Sequence, residues 1–338
     1  MRYGCGMYGG SFNPLHLGHV RCMIEAANQC RRLIIVISAG SNREEIGIRQ
    51  RYRWVYEATK HFPHVEIFVL EDEAPSKAAY SEDLWLADAQ KVKDYAGEKI
   101  DVVFCGSDYG PDCMWARCYP EAKLVILKRD HISSTQIRRD PIACWDMLPT
   151  FVRPYFAKKV LLIGGESTGK STLSISLARR YNTCWLEEVG RDISARSGTD
   201  LWMLQEDFTD ILLQHKVREI EALKSANRLL IEDTDCLITL FYLNFLKGDD
   251  AKNNVRLAEA IAHLNSYDLI LYLQPDVAFV QDGDRSEIIA ADREKYSRQI
   301  SDLYERFGFK IVPVAGDYQT RYERAVELID QMLKGESE

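Results

Sequence analysis

Two stretches of this chain combine glycines with residues able to hold phosphate. The first runs Gly9-Gly10-Ser11-Phe12-Asn13-Pro14-Leu15-His16-Leu17-Gly18-His19. The second runs Gly164-Gly165-Glu166-Ser167-Thr168-Gly169-Lys170-Ser171 and continues into Thr172. In each, glycine lets backbone N–H groups approach an anion, and a helix opening just after adds the positive end of its dipole. His16 and His19 are three apart and share one side of a helix start, with Gly18 keeping side-chain bulk away. Two imidazoles donate N–H bonds to phosphoryl oxygens without a fixed full charge. That suits nucleotidyl transfer, where the attacking phosphate is itself the nucleophile. Catalysis is then positioning and stabilisation of the developing charge. The second stretch satisfies GxxxxGKS/T, in which Lys170 reaches the β- and γ-phosphates of ATP and the Ser171 hydroxyl serves Mg²⁺.

Further chemistry lies downstream of each loop. Ser133, Ser134 and Thr135 offer hydroxyl and backbone donors at a helix start, and Arg138 offers a planar fork for phosphate. Cys105-Gly106-Ser107-Asp108 ends a strand, where an aspartate can take ribose hydroxyls. In the second half, Glu232-Asp233-Thr234-Asp235 follows a buried run. A carboxylate there holds Mg²⁺ or accepts a hydroxyl proton. Glu187-Glu188-Val189-Gly190-Arg191-Asp192 and Gln281-Asp282-Gly283-Asp284-Arg285 add charged residues. Arg285 reads as a cation on a loop that closes on a transferring phosphate.

The elements that must carry these residues read as two successive βα alternations. Short apolar runs at Tyr3 to Tyr8, Leu33 to Ile37, Val65 to Leu70, Asp101 to Cys105 and Leu124 to Leu127 read as strands. Helical stretches such as His19 to Gln29 and Arg49 to His61 separate them. Pro149 and Pro154 then disfavour helix before them and mark a junction. A second series follows: Lys159 to Ile163, a helix from Lys170 to Tyr181, Arg228 to Ile231, Leu269 to Leu273, Lys310 to Val314, and a closing helix carrying Tyr322, Val326, Ile329 and Leu333. The expected class is α/β, with two doubly wound parallel-sheet domains over residues 1–152 and 153–338.

With 338 residues, each half is long enough for its own core. No run of 18 apolar residues predicts a membrane span. The first motif begins at residue 9, leaving no room for a signal peptide. Nine scattered cysteines without a CxxC pair point to reduced thiols in cytosol. A net charge of −8 without a basic run disfavours nucleic acid as a partner. No helix-turn-helix segment precedes residue 9. Nothing in the sequence decides oligomeric state, and a homo-oligomer is allowed.

The first loop resembles the HxGH signature of nucleotidyltransferases, with Gly9, Gly10, Ser11, Phe12, Pro14, His16 and His19 in place. His131 to Arg138 resembles the ISSTxIR motif of the same family, and Gly106 with Asp108 its Gly-x-Asp, which implies contact with the adenosine ribose. The pyridine-nucleotide branch fits best. That likeness implies that Trp85 stacks on a pyridinium ring and that Arg51 meets the substrate phosphate. The whole chain is similar to bifunctional NadR-type enzymes, which join a nicotinamide-nucleotide adenylyltransferase to a ribosylnicotinamide kinase. The EEVGR, IEDTD and QDGDR stretches align in kind with the kinase half, with Val189 standing for an aromatic and Gln281 for an acid.

The resemblance implies a two-step NAD salvage enzyme using ATP and Mg²⁺. Nicotinamide riboside is first phosphorylated to nicotinamide mononucleotide, which is then adenylylated to NAD with release of pyrophosphate. Lys170, Ser171, Asp233 and Arg285 would hold ATP, Mg²⁺ and the transferring group, with Gly164, Glu166, Ser167, Thr168, Gly169 and Thr172 around the nucleotide. Asp233 or Glu188 would take the proton. Arg191, Asp235 and Asp282 fall on the substrate side. Pantetheine phosphate as the first domain's acceptor, and a nucleotide sensor without turnover, are the alternatives.

Overall fold

The computed structural model describes residues 2–40, 45–72, 74, 79–107, 109–128, 133–197, 202–246, 252–281 and 285–335. Asp108 and Asp282, two of the expected site residues, lie outside these, as do His131 and Ile132. The chain forms two compact units, Met1–Arg153 and Pro154–Glu338.

The first unit runs β1 (Tyr3–Gly10), α1 (Leu17–Gln29), β2 (Cys30–Gly40), α2 (Ile48–Thr59), β3 (Val65–Asp72) and α3 (Glu82–Ala96). It continues with β4 (Val102–Gly106), α4 (Met114–Cys118), β5 (Lys123–Leu127) and α5 (Ser134–Arg139). All five strands are parallel, in the order β3-β2-β1-β4-β5. Leu33 to Ile37 of β2 are buried without interruption, as expected where helices cover both faces of a sheet. β1 is the central strand, and the winding reverses beside it. The crevice at the carboxyl ends of β1 and β4 is therefore where this sheet can receive a ligand. Gly9-Gly10 and Gly106 end those two strands.

The second unit runs β6 (Lys158–Ile163), α6 (Lys170–Arg180), β7 (Trp185–Leu186), α7 (Val189–Ser197), α8 (Gln205–Ser225), β8 (Leu229–Asp233) and α9 (Cys236–Leu246). Then come α10 (Lys252–Leu264), β9 (Leu269–Leu273), α11 (Glu287–Ala291), α12 (Arg293–Arg306), β10 (Val312–Val314) and α13 (Tyr318–Lys334). Its parallel sheet has the order β10-β9-β6-β8-β7. The central β6 feeds the GxxxxGKS loop. One face of the sheet packs Leu173 and Leu177 of α6 with Ala325 and Ile329 of α13. The other packs Phe208 of α8, Leu237 and Leu240 of α9, and Ile300 and Tyr304 of α12.

Three details differ from the sequence reading. β8 extends through Asp233, so this aspartate is the last residue of the strand instead of lying past it. α1 begins at Leu17 with His16 as its cap, earlier than expected. The two-residue β7 was not foreseen, because a strand that short carries no readable alternation. Among the described residues, no helix is long and apolar enough to cross a membrane.

Candidate active sites

In the first unit both histidines are buried at the start of α1. His16 caps the helix, and its Nδ1 accepts the His19 backbone N–H at 3.3 Å. The two rings stack with centroids 3.7 Å apart and planes 22° from parallel. Phe12 meets His19 edge-on at 5.1 Å and holds it from behind. The imidazoles thus occupy one patch at the helix N-terminus, where a phosphate chain is favoured.

α5 is tied directly onto this loop. Ser134 Oγ donates to the Pro14 carbonyl at 3.1 Å, and Arg138 Nη1 donates to the Asn13 carbonyl. These bonds join segments about 120 residues apart in sequence. Arg138 also reaches Thr135 Oγ1 at 3.4 Å and pairs with Glu45 at 3.3 Å. Ser133 caps α5 by accepting the Thr135 N–H at 3.2 Å. The structure therefore brings Ser133, Ser134, Thr135 and Arg138 to the loop that carries His16 and His19.

Arg51 does not sit where the sequence reading put it. Its side chain is only 1% exposed. Its Nε donates to the Ile46 carbonyl at 2.8 Å, and its Nη1 donates to the carbonyls of Ser11 at 2.6 Å and Ser38 at 2.8 Å. The guanidinium braces the back of the glycine loop instead of facing a substrate phosphate.

Trp85 belongs to an aromatic group that the sequence only half revealed. Its ring lies edge-on to Trp115, with centroids 4.9 Å apart, and Tyr80 lies 5.1 Å away. Trp115 in turn covers Gly9: a Cβ on that glycine would stand 2.5 Å from the indole Cη2. Trp115 was missed because a lone tryptophan in a five-residue helix carries no motif.

In the second unit the loop from Gly164 to Ser171 borders a cavity of ≈ 270 Å³. Gly164 has φ +148°, and a Cβ there would stand 2.7 Å from the Leu273 carbonyl, so only glycine fits. Gly169 caps α6, and Thr172 lies in its first turn. Lys170 Nζ donates to the carbonyls of Gly164 and Gly165, each at 3.0 Å. Thr168 Oγ1 closes the loop on the Gly165 carbonyl at 2.8 Å, and Ser167 Oγ accepts from Arg285 Nη1 at 2.9 Å. Ser171 Oγ accepts from Arg191 Nη2 at 3.2 Å, and Arg191 pairs with Glu188 at 3.8 Å. Lys170, Ser171, Glu188, Arg191 and Arg285 therefore line one cavity, together with Asp235.

Asp233 is fully buried, and neither carboxylate oxygen has a hydrogen bond of ordinary geometry. Burial pushes its pKa up, and Lys170, then Ser171 and Arg191, pull it back. A buried carboxylate lacking donors beside a serine hydroxyl suits a hard divalent cation. Mg²⁺ needs one or two carboxylates, with phosphates and water completing its shell. Among the described residues, no cluster of three or more His, Cys, Asp or Glu could hold a metal by itself.

Asp235 lines the cavity and is also held by the protein. Its Oδ1 accepts from the Leu237 N–H at 2.9 Å and from Tyr304 Oη, and its Oδ2 accepts from Tyr267 Oη at 2.9 Å. Three of about four acceptor positions are thus taken by the protein. Asp235 anchors the start of α9 and the floor of the cavity. Glu166 lines the same cavity, and both its side-chain oxygens accept from protein groups, Tyr242 and Ser286. Tyr242, Phe208 and His215 complete the wall and were not singled out from sequence, because they sit in helices without a motif. Arg321 of α13 was missed as well. It is 3% exposed and donates to the carbonyls of Thr168 at 2.5 Å, Gln274 at 2.8 Å and Gly316 at 2.8 Å.

Known proteins share this arrangement. A cytidylyltransferase-like family model matches residues 7–142, and an AAA domain model matches residues 159–321. The trifunctional NAD biosynthesis/regulator protein NadR of Escherichia coli (strain K12) is 28% identical over 344 residues, spanning 97% of this chain and 83% of that protein. Its Salmonella typhimurium counterpart is 27% identical with the same coverage. Two solved structures have the same fold. NadR protein in complex with NR has a TM-score of 0.81 at 20% identity, covering 98% of this chain and 96% of that one. NadR protein in complex with NAD and AMP-PNP has a TM-score of 0.81 at 21% identity, covering 99% and 98%.

Proposed function

We infer that this chain is a NadR-type bifunctional NAD salvage enzyme, a ribosylnicotinamide kinase joined to a nicotinamide-nucleotide adenylyltransferase. One observation carries the reading: each unit has its own phosphate loop, and each loop is met by partners suited to a different phosphorus atom. Stacked His16 and His19 with Ser134 and Arg138 suit attack at the α-phosphorus. Lys170, Ser171, Asp233 and Arg285 suit transfer of the γ-phosphoryl group.

In the kinase unit the 5′-hydroxyl of nicotinamide riboside attacks the γ-phosphorus of ATP. The bond to the β-bridging oxygen breaks, leaving ADP and nicotinamide mononucleotide. Lys170 and Arg285 hold the phosphoryl oxygens. Glu188, partly exposed in the cavity wall, takes the hydroxyl proton. Asp233 and Ser171 would hold Mg²⁺, which would supply charge neutralisation to the transferring phosphates. Arg191 faces the substrate side.

In the adenylyltransferase unit a phosphate oxygen of the mononucleotide attacks the α-phosphorus of a second ATP. Pyrophosphate leaves and NAD forms. His16, His19 and Arg138 stabilise the charge that builds on the phosphoryl oxygens. Gly9, Gly10, Ser11, Phe12 and Gly106 form the nucleotide side of the crevice. Trp85, edge-on to Trp115, borders the pyridinium. All nine cysteines are free thiols, which fits a reducing cytoplasm.

Chromatography of a reaction containing nicotinamide riboside, ATP and Mg²⁺ tests both steps together. ADP and nicotinamide mononucleotide should form first, followed by NAD and pyrophosphate. Mononucleotide without NAD would refute the first unit's assignment. NAD from added mononucleotide but none from riboside would refute the second's.

A further inference from the structure

Glu166 occupies one of the variable positions of the GxxxxGKS loop, yet its side chain serves the surrounding protein. Its Oε1 accepts from Tyr242 Oη at 3.0 Å, and its Oε2 accepts the Ser286 backbone N–H at 2.9 Å. Tyr242 lies on α9 and lines the cavity. Ser286 caps α11, accepting the Ile289 N–H at 3.4 Å, and follows Arg285 directly in the chain. Arg285 donates to Ser167, the residue next to Glu166, at 2.9 Å. One carboxylate therefore joins the phosphate loop, a wall of the acceptor cavity and the residue that carries the cation.

We propose that Glu166 is a positioning residue that links occupation of the acceptor cavity to the placement of Arg285. The inference rests on the kinase reading of the second unit. An acceptor packed against the Tyr242 ring fixes the phenol. The phenol fixes the Glu166 carboxylate, and the carboxylate fixes the Ser286 N–H. Arg285, one peptide bond away, is then held toward the transferring phosphoryl group. A phosphoryl-transfer enzyme gains from such a link, because water competes with the acceptor hydroxyl whenever the charge-stabilising group is in place. Both bonds end on carboxylate oxygens, acceptors that form the stronger class of hydrogen bond when charged. Glutamine keeps the size but carries no charge, and its amide nitrogen can only donate, so the Tyr242 phenol must reverse its hydrogen bond and both links lose their charge-assisted character.

The test is a double-mutant cycle on the full chain, with rates measured with nicotinamide riboside, ATP and Mg²⁺ and as ADP release without acceptor. Glu166→Gln should lower kcat for riboside phosphorylation about tenfold while leaving KM for ATP within about twofold. The ratio of acceptor-free ADP release to phosphorylation should rise about tenfold. Arg285→Ala should cost the parent chain more than about tenfold but add less than about twofold to Glu166→Gln, because both remove the same interaction. Additive losses, or a raised KM for ATP with kcat intact, would overturn the proposal. Should Glu166→Gln not fold, Tyr242→Phe carries the same cycle. A parent chain that releases ADP yet makes no mononucleotide would overturn the acceptor assignment. The cycle is then read on ADP release, where additivity still overturns the role of Glu166.

Discussion

Replacing Arg51 by alanine should damage the first unit's stability far more than any single contact with substrate would suggest. The guanidinium donates to three carbonyls at 2.6 to 2.8 Å from a side chain that is 1% exposed. A hydrogen bond from a charged donor contributes about 1.5–3 kcal/mol. The three do not add fully, because each carbonyl keeps a second lone pair and water enters part of the space left. A loss of about 3–5 kcal/mol is expected, the range seen when one partner of a buried charged group is removed. A domain of this size holds only about 5–15 kcal/mol in all. Its melting point should fall by about 10 °C. Hydrogen exchange read by mass spectrometry follows each unit separately, so deprotection should appear in β1, β2 and the start of α2 and leave β6 and β8 unchanged. Adenylyl transfer should fall with it, and riboside phosphorylation should persist. Unchanged protection of β1 and β2 with a raised KM for nicotinamide mononucleotide would refute the bracing role and make Arg51 a phosphate ligand.

Four further changes read other parts of the molecule. His19→Ala should cut NAD formation by at least about 100-fold and spare riboside phosphorylation, and Lys170→Ala should do the reverse; product chromatography of the folded variants separates the two outcomes. Gly9→Ala should raise KM for the mononucleotide about tenfold, since its Cβ would stand 2.5 Å from Trp115; steady-state kinetics with kinase activity as the internal control checks this. Glu232, completely buried at the end of β8, has its carboxyl pushed up from 4.5 to about 8, by burial first and by Glu219 second. The folded chain therefore holds a proton that the unfolded chain releases between those values, and this group's contribution to stability falls as pH rises through that window, by at most about 1.4 kcal/mol per unit. Glu232→Gln should gain on the parent chain from pH 5.5 to about 8 and level off above it in urea melts, and parallel slopes would mean that Glu232 is already ionised in the fold.

The sequence exposed what repeats locally and hid what is assembled across distance. Buried strands such as Leu33 to Ile37 and Leu269 to Leu273 were legible, because parallel strands covered on both faces are continuous apolar runs. The two loops were legible because backbone geometry at a phosphate dictates glycine at fixed spacing. Arg51 was legible as a residue but not as a role, since an arginine near a phosphate loop reads the same whether it faces the ligand or the carbonyls behind it. Arg321 lies 153 residues beyond the Thr168 carbonyl that it holds, and no local pattern announces such a bond. Asp235 and Glu166 were read as ligand contacts because their motifs place them near the nucleotide. Their carboxylates also accept hydrogen bonds from Tyr267, Tyr304, Tyr242 and Ser286, and these partners lie far along the chain in segments with no signature of their own.

The hold of Arg321 on the phosphate loop bears on how the protein is made. A nascent chain is synthesised from its N-terminus, and its domains fold in that order. By the time Arg153 has been added, every described residue of the first unit has been translated. The loop at Gly164 to Ser171 comes early in the second unit, yet its rear support arrives only with α13. The second unit's ATP cradle is thus braced only once α13 has been made, and a ribosome that stops short of α13 leaves the described residues of the first unit complete and the second unit's loop without its backing.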